Sequence, residues 1–281
     1  MKRQTISRLR CPSGCAGVLE LSENHDTTIQ EVKTGELNCG VCCSSYAIEQ
    51  GIARMLPGGL SNQDKYDEEP SEENRKKLNE MAARDAQAES YDKMVGLALF
   101  GKLEIPLTLA KMNLHPNSVL LEAGCGTGRM TSIFARQCRH HLAVDFSWES
   151  LLSCSRKLEN AGIRNVDLVQ ADVCALPFQT AQFSTVVSCQ VLEHIPTPAS
   201  RAKMVNELSR VANPDAPVVI SAYQHNLLTR CFGKKEGSHE GGIYYYRFHR
   251  QEFRELLAQS LDVRGMTGAM VYHYIADCRK R

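Results

Sequence analysis

The chain has 281 residues, of which 43% are hydrophobic and 23% charged, and these values exclude a mostly disordered protein. Its 33 basic and 32 acidic residues give a formal net charge of +1, so no global field favours a nucleic acid or an anionic membrane. No apolar run approaches about 18 residues and the basic start lacks an apolar segment, so we expect neither a membrane span nor a signal peptide. The twelve cysteines then indicate mostly reduced thiols in a cytoplasmic protein.

The composition divides the chain into three segments. Residues 1–58 hold five cysteines in two clusters and end in the turn sequence Leu-Pro-Gly-Gly. Residues 59–77 are acidic and cannot pack a core, so we interpret them as a linker. In residues 78–281 apolar strand-like runs alternate with helical patterns, which is typical of βαβ units and a parallel sheet.

The periodicity and the turn signals predict the elements of this last segment. The predicted helices cover 75–95, 99–112, 129–139, 147–160, 199–211 and 250–260. The predicted strands cover 118–122, 141–145, 166–170, 184–189, 217–222, 261–267 and 269–276. The last two strands are expected to meet in a tight turn around Gly268.

A glycine-rich turn, VLLEAGCGTGR over residues 119–129, follows the first of these strands. The strand ends in Glu122, and Gly124, Gly126 and Gly128 precede a helix. Glycines allow a ligand to approach the backbone closely, and the helix offers free N–H groups. Arg129 stands where a dinucleotide fingerprint would have its third glycine or alanine, so the match to that fingerprint is poor.

Acidic residues follow the next two strands. Asp145 ends the second strand, where a carboxylate can accept hydrogen bonds from both hydroxyls of a ribose. The third strand leads to Asp172 and Val173, where an adenine edge could lie. Because ligands bind outside the carboxyl ends of parallel strands, we expect these residues at one site.

With these motifs, residues 78–280 resemble the class I S-adenosylmethionine-dependent methyltransferases, in particular the methyltransferase type 11 group. The resemblance implies an α/β fold with a Rossmann-like seven-stranded sheet and an antiparallel last strand. One departure is Ser184, which stands before the fourth strand where the family commonly has an acidic residue. The resemblance also implies a cofactor site made of Glu122, Gly124, Cys125, Gly126, Gly128, Asp145, Asp172, Val173, Cys189 and Gln190.

Two cysteine pairs lie in the N-terminal segment, Cys11 with Cys15 and Cys39 with Cys42. Close pairs about 25 residues apart are the spacing of a zinc ribbon, and four thiolates form a closed, structural site. The surrounding sequence resembles the small zinc-ribbon module that activates tRNA and protein methyltransferases. The other interpretation is that these cysteines are buried or idle and bind no metal.

Candidate catalytic residues follow the fourth and fifth strands, where an acceptor would lie. They are His194, Tyr223 and His225. Methyl transfer needs a base only if the acceptor must lose a proton, and a packing role for each residue stays open. The glycine-rich segment 231–248, which ends in three tyrosines, is interpreted as a mobile lid or as an exposed loop.

We therefore expect an S-adenosylmethionine-dependent methyltransferase with structural zinc and a small-molecule acceptor. RNA is the alternative acceptor, favoured by the ribbon and by basic spots at 2–3, 8–10 and 279–281. A non-catalytic scaffold that binds the cofactor is the second alternative. No membrane partner is expected, and the oligomeric state is not predicted.

Overall fold

The computed structural model describes residues 1–15, 17–22, 31–60, 71–91, 95–226, 234–239, 241–269 and 272–281. Its helices are α1 Arg3–Ile6, α2 Glu72–Tyr91, α3 Val95–Met112, α4 Thr131–Phe134, α5 Trp148–Asn160, α6 Pro198–Val211 and α7 Arg250–Ala258. Its strands are β1 Leu19–Leu21, β2 Gly35–Cys39, β3 Ser45–Glu49, β4 Ile52–Arg54, β5 Val119–Ala123, β6 His140–Asp145, β7 Val166–Gln170, β8 Thr185–Cys189, β9 Pro217–Tyr223, β10 Glu236–Ser238, β11 Tyr244–Tyr246, β12 Leu261–Ala269 and β13 His273–Lys280. None of the described helices is both long enough and apolar enough to cross a membrane.

One mixed sheet contains eleven of these strands, in the order β1-β2-β3-β4-β7-β6-β5-β8-β9-β13-β12. Strands β5 to β9 run parallel, and β13 is antiparallel to both of its neighbours. The predicted count of seven strands is wrong, because the N-terminal segment adds four strands to the same sheet. β4 pairs in parallel with β7, with Ala53 opposite Val169 and Arg54 opposite Gln170. The division of the chain into three segments stays a prediction.

Local sequence explains where several elements begin. The hydroxyl of Ser147 accepts from the backbone N–H of Ser150 and caps α5, as predicted. Thr197 caps α6 in the same way, with Pro198 in the first turn. Ser184 accepts from Val119 N–H at 2.9 Å and donates to its carbonyl at 3.2 Å. This serine therefore makes the local hydrogen bonds in the absence of the acidic residue.

Several predicted boundaries differ from the structure. The last strand, predicted over 269–276, is β13 His273–Lys280. The helix predicted over 129–139 is reduced to α4 and a 3-10 turn over Ala135–Gln137. Gly268 does not form the turn, because it pairs with Tyr274 within the β12–β13 ladder. Residues 72–77, assigned to the linker, form the first turns of α2.

The N-terminal residues are tied to the sheet by a buried carboxylate. Asp167 in β7 accepts from Thr5 at 2.5 Å and contacts His140 Nε2 at 2.7 Å. It also accepts from the backbone N–H of Lys2 at 2.9 Å. Burial would raise the pKa of Asp167, but the hydrogen bond from His140, the charge of Lys2 and the remaining hydrogen bonds outweigh it and lower the pKa to about 2.

We predict that Asp167 stabilises the fold in a pH-dependent way. Because its folded-state pKa lies below the unfolded value of about 3.9, its contribution is complete above about pH 4 and is lost as the pH falls toward about 2. Asp167→Asn should lower the free energy of unfolding at pH 7 by about 2 kcal/mol. Urea unfolding of wild type and variant between pH 3 and 7 measures this difference.

The matched control is Asp262→Asn, which removes an exposed carboxylate paired with Arg264. Surface pairs of this kind contribute about 0–1 kcal/mol. A gap between wild type and Asp167→Asn that stays constant from pH 3 to 7 would contradict the linkage.

Candidate functional site

A cavity of about 480 Å³ lies at the carboxyl ends of the parallel strands, beneath α2. Every residue predicted to bind the cofactor lines this cavity except Gly128, which packs against Cys154 instead. The structure thus brings together residues from the ends of β5, β6, β7 and β8. The lining residues that were predicted are Glu122, Gly124, Cys125, Gly126, Asp145, Asp172, Val173, Cys189, Gln190 and His194.

Two glycines of the loop are required by close contacts. Gly124 and Gly128 both have φ of +82°, which favours glycine. A Cβ on Gly124 would lie 2.1 Å from Val191 Cγ2, and one on Gly128 would lie 2.5 Å from Cys154 Sγ. The space around Gly126 is open instead. Gly128 therefore serves the packing of the loop on α5, while Gly126 leaves room for a ligand.

Two carboxylates are held by this loop and its helix. Asp145 accepts from Gly126 N–H at 2.8 Å and from Ser147 N–H at 2.9 Å, one bond to each oxygen. Burial raises the pKa of Asp145, although these two N–H groups favour the charged form. Glu122 accepts from the Thr131 hydroxyl at 2.7 Å. Each Asp145 oxygen keeps a further lone pair for a ligand.

Helix α2 supplies one wall that sequence reasoning missed. Lys77 donates to Asp172 at 2.7 Å, and the other oxygen of Asp172 accepts from Cys174 N–H at 2.8 Å. Glu80 pairs with Arg84 at 3.0 Å and accepts from Tyr244 N–H at 3.1 Å. In the sequence, acidic and basic residues four positions apart indicate a solvated helix face. Only the tertiary contacts therefore identify these residues as part of the cavity wall.

A second group missed by sequence reasoning surrounds Glu104 of α3, which is 1% exposed. Glu104 accepts from the Gln190 side chain, from Ser221 at 3.2 Å and from Arg129 at 3.4 Å. Gln190 has φ of +58°, a backbone conformation that costs roughly 1–3 kcal/mol. Its contacts with Glu104 hold it there, at the wall of the cavity.

The three candidate catalytic residues lie in different surroundings. His194 lines the cavity, and its Nδ1–H donates to the Tyr244 carbonyl at 2.7 Å. The Tyr223 ring lies 5.7 Å from the His194 ring, whereas His225 packs on His249 at 4.8 Å. Neither Tyr223 nor His225 lines the cavity. Catalytic roles for all three stay predictions.

The protonation state of His194 follows from its environment. Burial and the charge of Arg84 lower the pKa of His194 well below its usual value. The imidazole is therefore neutral near pH 7, with its proton on Nδ1 and a lone pair on Nε2. Next to it, Glu193 is fully buried, and neither of its oxygens has a partner among the described residues. Burial raises the pKa of Glu193 to about 8, so this carboxyl is mostly protonated at pH 7.

The structure describes most of the segment 231–248, which the sequence analysis interprets as a lid or an exposed loop. β10 and β11 form an antiparallel hairpin, and Glu236 and Tyr244 from it line the cavity. Residues 231–233 and 240 lie outside the described residues, so the lid interpretation stays a prediction.

The four predicted cysteines form a second candidate site. Their sulfur atoms all lie within 4.8 Å of one another, with 3.6 Å between Cys11 and Cys42 and 3.5 Å between Cys15 and Cys39. Tetrahedral zinc with bonds of about 2.3 Å places its sulfur ligands about 3.8 Å apart, so the cluster fits such an ion. The Tyr46 hydroxyl lies 3.1 Å from Cys11 Sγ and can donate to a thiolate.

Known proteins that resemble this chain in sequence include several methyltransferases. Residues 120–215 match the family model described as a methyltransferase domain. Over 112 residues the chain is 31% identical to the ubiquinone biosynthesis O-methyltransferase of Hahella chejuensis, covering 40% of this chain and 45% of that protein. Over 121 residues it is 26% identical to the Bos taurus protein named "Probable tRNA methyltransferase 9B", covering 43% and 25%.

Among solved structures, the fold resembles the Burkholderia thailandensis 1,6-didemethyltoxoflavin-N1-methyltransferase, whose crystals contain 1,6-didemethyltoxoflavin and S-adenosylhomocysteine. The TM-score is 0.61 at 17% identity, covering 76% of this chain and 93% of the other. This likeness shows that the two chains share a fold. The chain spans less than half of the length of the two relatives compared by sequence.

Proposed function

We propose that the protein is an S-adenosylmethionine-dependent methyltransferase. The observation that supports this most is the convergence of Glu122, the glycine loop, Asp145 and Asp172 on one cavity. When bound, the cofactor supplies an activated methyl group on a sulfonium. The open space at Gly126 and the free lone pairs of Asp145 suit a cofactor with a ribose diol. We assign the methionine end to Glu122 and Gly124, and the adenine to Asp172 and Val173.

The acceptor is a small molecule in this proposal. The cavity is of the size that encloses small ligands, and α2 and the β10–β11 hairpin contribute to its walls. Near His194 the hairpin places the carboxylate of Glu236, which disfavours a phosphate backbone at this end, whereas the charge of Glu80 is compensated by Arg84. Lys77, the cation nearest the adenine end, is already paired with Asp172.

His194 is the proposed general base. Its tautomer is fixed by the Tyr244 carbonyl, which leaves Nε2 to take a proton from an acceptor hydroxyl or amine. The remaining work of the site is to hold donor and acceptor in line, which positioning side chains and closed walls achieve. Glu104 contributes by fixing Gln190 at the wall.

Zinc is the proposed occupant of the cysteine cluster. Four thiolates without an open position make a structural site, so zinc would hold the N-terminal strands together and take no part in methyl transfer. RNA as the acceptor is the second candidate, favoured by the relative named as a tRNA methyltransferase.

We predict that Asp145→Ala weakens binding of S-adenosylhomocysteine by about 1.5–3 kcal/mol, because charged hydrogen bonds to the ribose are lost. Isothermal titration calorimetry measures the change. Glu149→Ala is the matched control, since this carboxylate is exposed and does not line the cavity. Wild-type protein that binds NADH and not the methionine cofactor would refute the assignment.

We predict that wild type transfers a radiolabelled methyl group to metabolites below about 1 kDa and not to bulk RNA. His194→Gln should reduce labelling by roughly 10²–10⁴-fold, the usual range for a general base, with cofactor affinity retained. His115→Gln is the comparison, because this histidine is exposed, does not line the cavity and should change labelling little.

If only RNA is labelled, the small-molecule acceptor is wrong and RNA, the second candidate, is the acceptor. Cofactor binding without any transfer would support the non-catalytic scaffold.

We predict one zinc ion per chain and its loss in Cys39→Ser. Replacing one of four thiolates opens the site and weakens the metal. Elemental analysis of protein purified without chelators measures the content. The control is Cys43→Ser, because Cys43 is exposed and outside the cluster. Absence of metal from wild type, or its loss from both variants, would contradict the site.

A further inference from the structure

Cations gather at the amino-terminal edge of the parallel strands, opposite the cavity. The segments that lead into β5, β6, β7 and β8 cover residues 113–118, 135–139, 161–165 and 179–184, and none contains Asp or Glu. They contain three arginines with exposed side chains, Arg136, Arg139 and Arg164. None of the three has an ion-pair partner among the described residues.

The N-terminal segment adds further cations to the same edge. Lys2 Nζ donates to the Arg164 carbonyl at 2.6 Å, which places α1 beside the start of β7. Arg8 donates to the carbonyl and side chain of Gln182, just before β8. We call the surface formed by Lys2, Arg3, Arg8, Arg136, Arg139 and Arg164 the basic edge.

Like charges are crowded at this surface. Burial and the nearby charge of Arg139 together lower the pKa of Arg8. The carboxylate of Asp167 lies beneath the surface, 4% exposed, where it is shared with His140 and Thr5 and lies 3.9 Å from Lys2 Nζ. It therefore compensates Lys2 in part and leaves the arginines of the edge uncompensated. Exposed acids near the edge are Glu31, opposite Lys2, Glu159 before the 161–165 segment, and Asp215 before β9. They are fewer than the six cations, so the local charge stays positive although the whole chain is almost neutral. Such local excess attracts an anionic partner.

The third basic spot of the sequence, 279–281, differs from the basic edge. It lies at the same side of the sheet, because Lys280 N–H donates to the Ala216 carbonyl before β9. Asp277 pairs with Arg279 at 2.6 Å, and Asp262 lies opposite Arg279 in the β-ladder. Asp277 therefore compensates the charge of Arg279, whereas Asp262 is already paired with Arg264. Because this spot lies beyond β9 in the sheet order, apart from the strands β7 to β8, we leave it out of the surface.

We propose that the basic edge binds the phosphate backbone of a nucleic acid. From β7 to β8 the edge spans about 14 Å, three strand-to-strand spacings, which matches about four phosphates along one strand. Five of its six cations are arginines, whose planar forks suit phosphate oxygens. The exposed large apolar side chains of the described residues are Val18, Val41, Leu107 and Tyr272, and none belongs to this edge. A membrane-inserting anchor is thus missing from this surface, which favours nucleic acid over lipid.

This proposal does not depend on the methyltransferase proposal, because the surface lies away from the cavity. The test uses the full chain without cofactor and measures fluorescence anisotropy of a labelled 20-base-pair RNA hairpin at 50 to 200 mM salt. We expect binding that weakens steeply with salt. Arg139→Ala with Arg164→Ala should reduce affinity by about tenfold or more and lower the salt slope by about 2, one unit for each lost phosphate contact.

The matched control is Arg75→Ala with Lys203→Ala, which also removes two exposed positive charges but lies on α2 and α6. It should bind like wild type. A DNA hairpin of the same sequence identifies the source of the phosphate: equal binding supports recognition of the backbone in general, and tighter binding of RNA supports recognition of RNA. Absence of hairpin binding at 50 mM salt, equal losses in the two double variants, or binding only to vesicles of anionic lipid would overturn the proposal.

Discussion

Parallel pairing of β5 to β9 is the constraint on which the rest of this molecule depends. Hydrogen bonding in one direction brings the carboxyl ends of all these strands to one edge. Glu122, Asp145 and Asp172, which are far apart in sequence, meet there because each follows a different strand. The same constraint collects the amino-terminal ends at the opposite edge, where the segments before β6 and β7 carry three arginines and those before β5 to β8 carry no acid. A nearly neutral chain thus gathers a local excess of positive charge at one edge of its sheet.

Much of the lining of the cavity could be predicted from the sequence, because its residues belong to short, ordered motifs at strand ends. The glycine loop is an example: Gly124 and Gly128 adopt positive φ against Val191 and Cys154, and no side chain could replace them. The four cysteines were likewise identifiable, since paired spacing is a local signal. In both cases the information lies within a few consecutive residues.

The other parts of the site depend on contacts that no local pattern encodes. Lys77 and Glu80 look like solvated residues of a charged helix, and only the packing of α2 over the strand ends turns them toward Asp172 and Tyr244. Glu104 is separated from Gln190 by 86 residues and meets it only in the folded chain. The four added strands were missed for the same reason, because the pairing of β4 with β7 joins segments more than one hundred residues apart.

That pairing also changes which strands of the sheet are left open. In a sheet that ended at β7, the unpaired N–H and C=O groups of this five-residue strand would face solvent and could template association with another chain. β4 pairs with Val169 and Gln170 at the end of β7, and the sheet now ends at β1, which has three residues. The opposite end is β12, which carries the charged pair Asp262 and Arg264. A short edge strand, such as β1, and a charged one, such as β12, both protect a sheet against edge-to-edge aggregation. The cysteine-bearing segment 1–58 therefore also protects the sheet that it extends against aggregation.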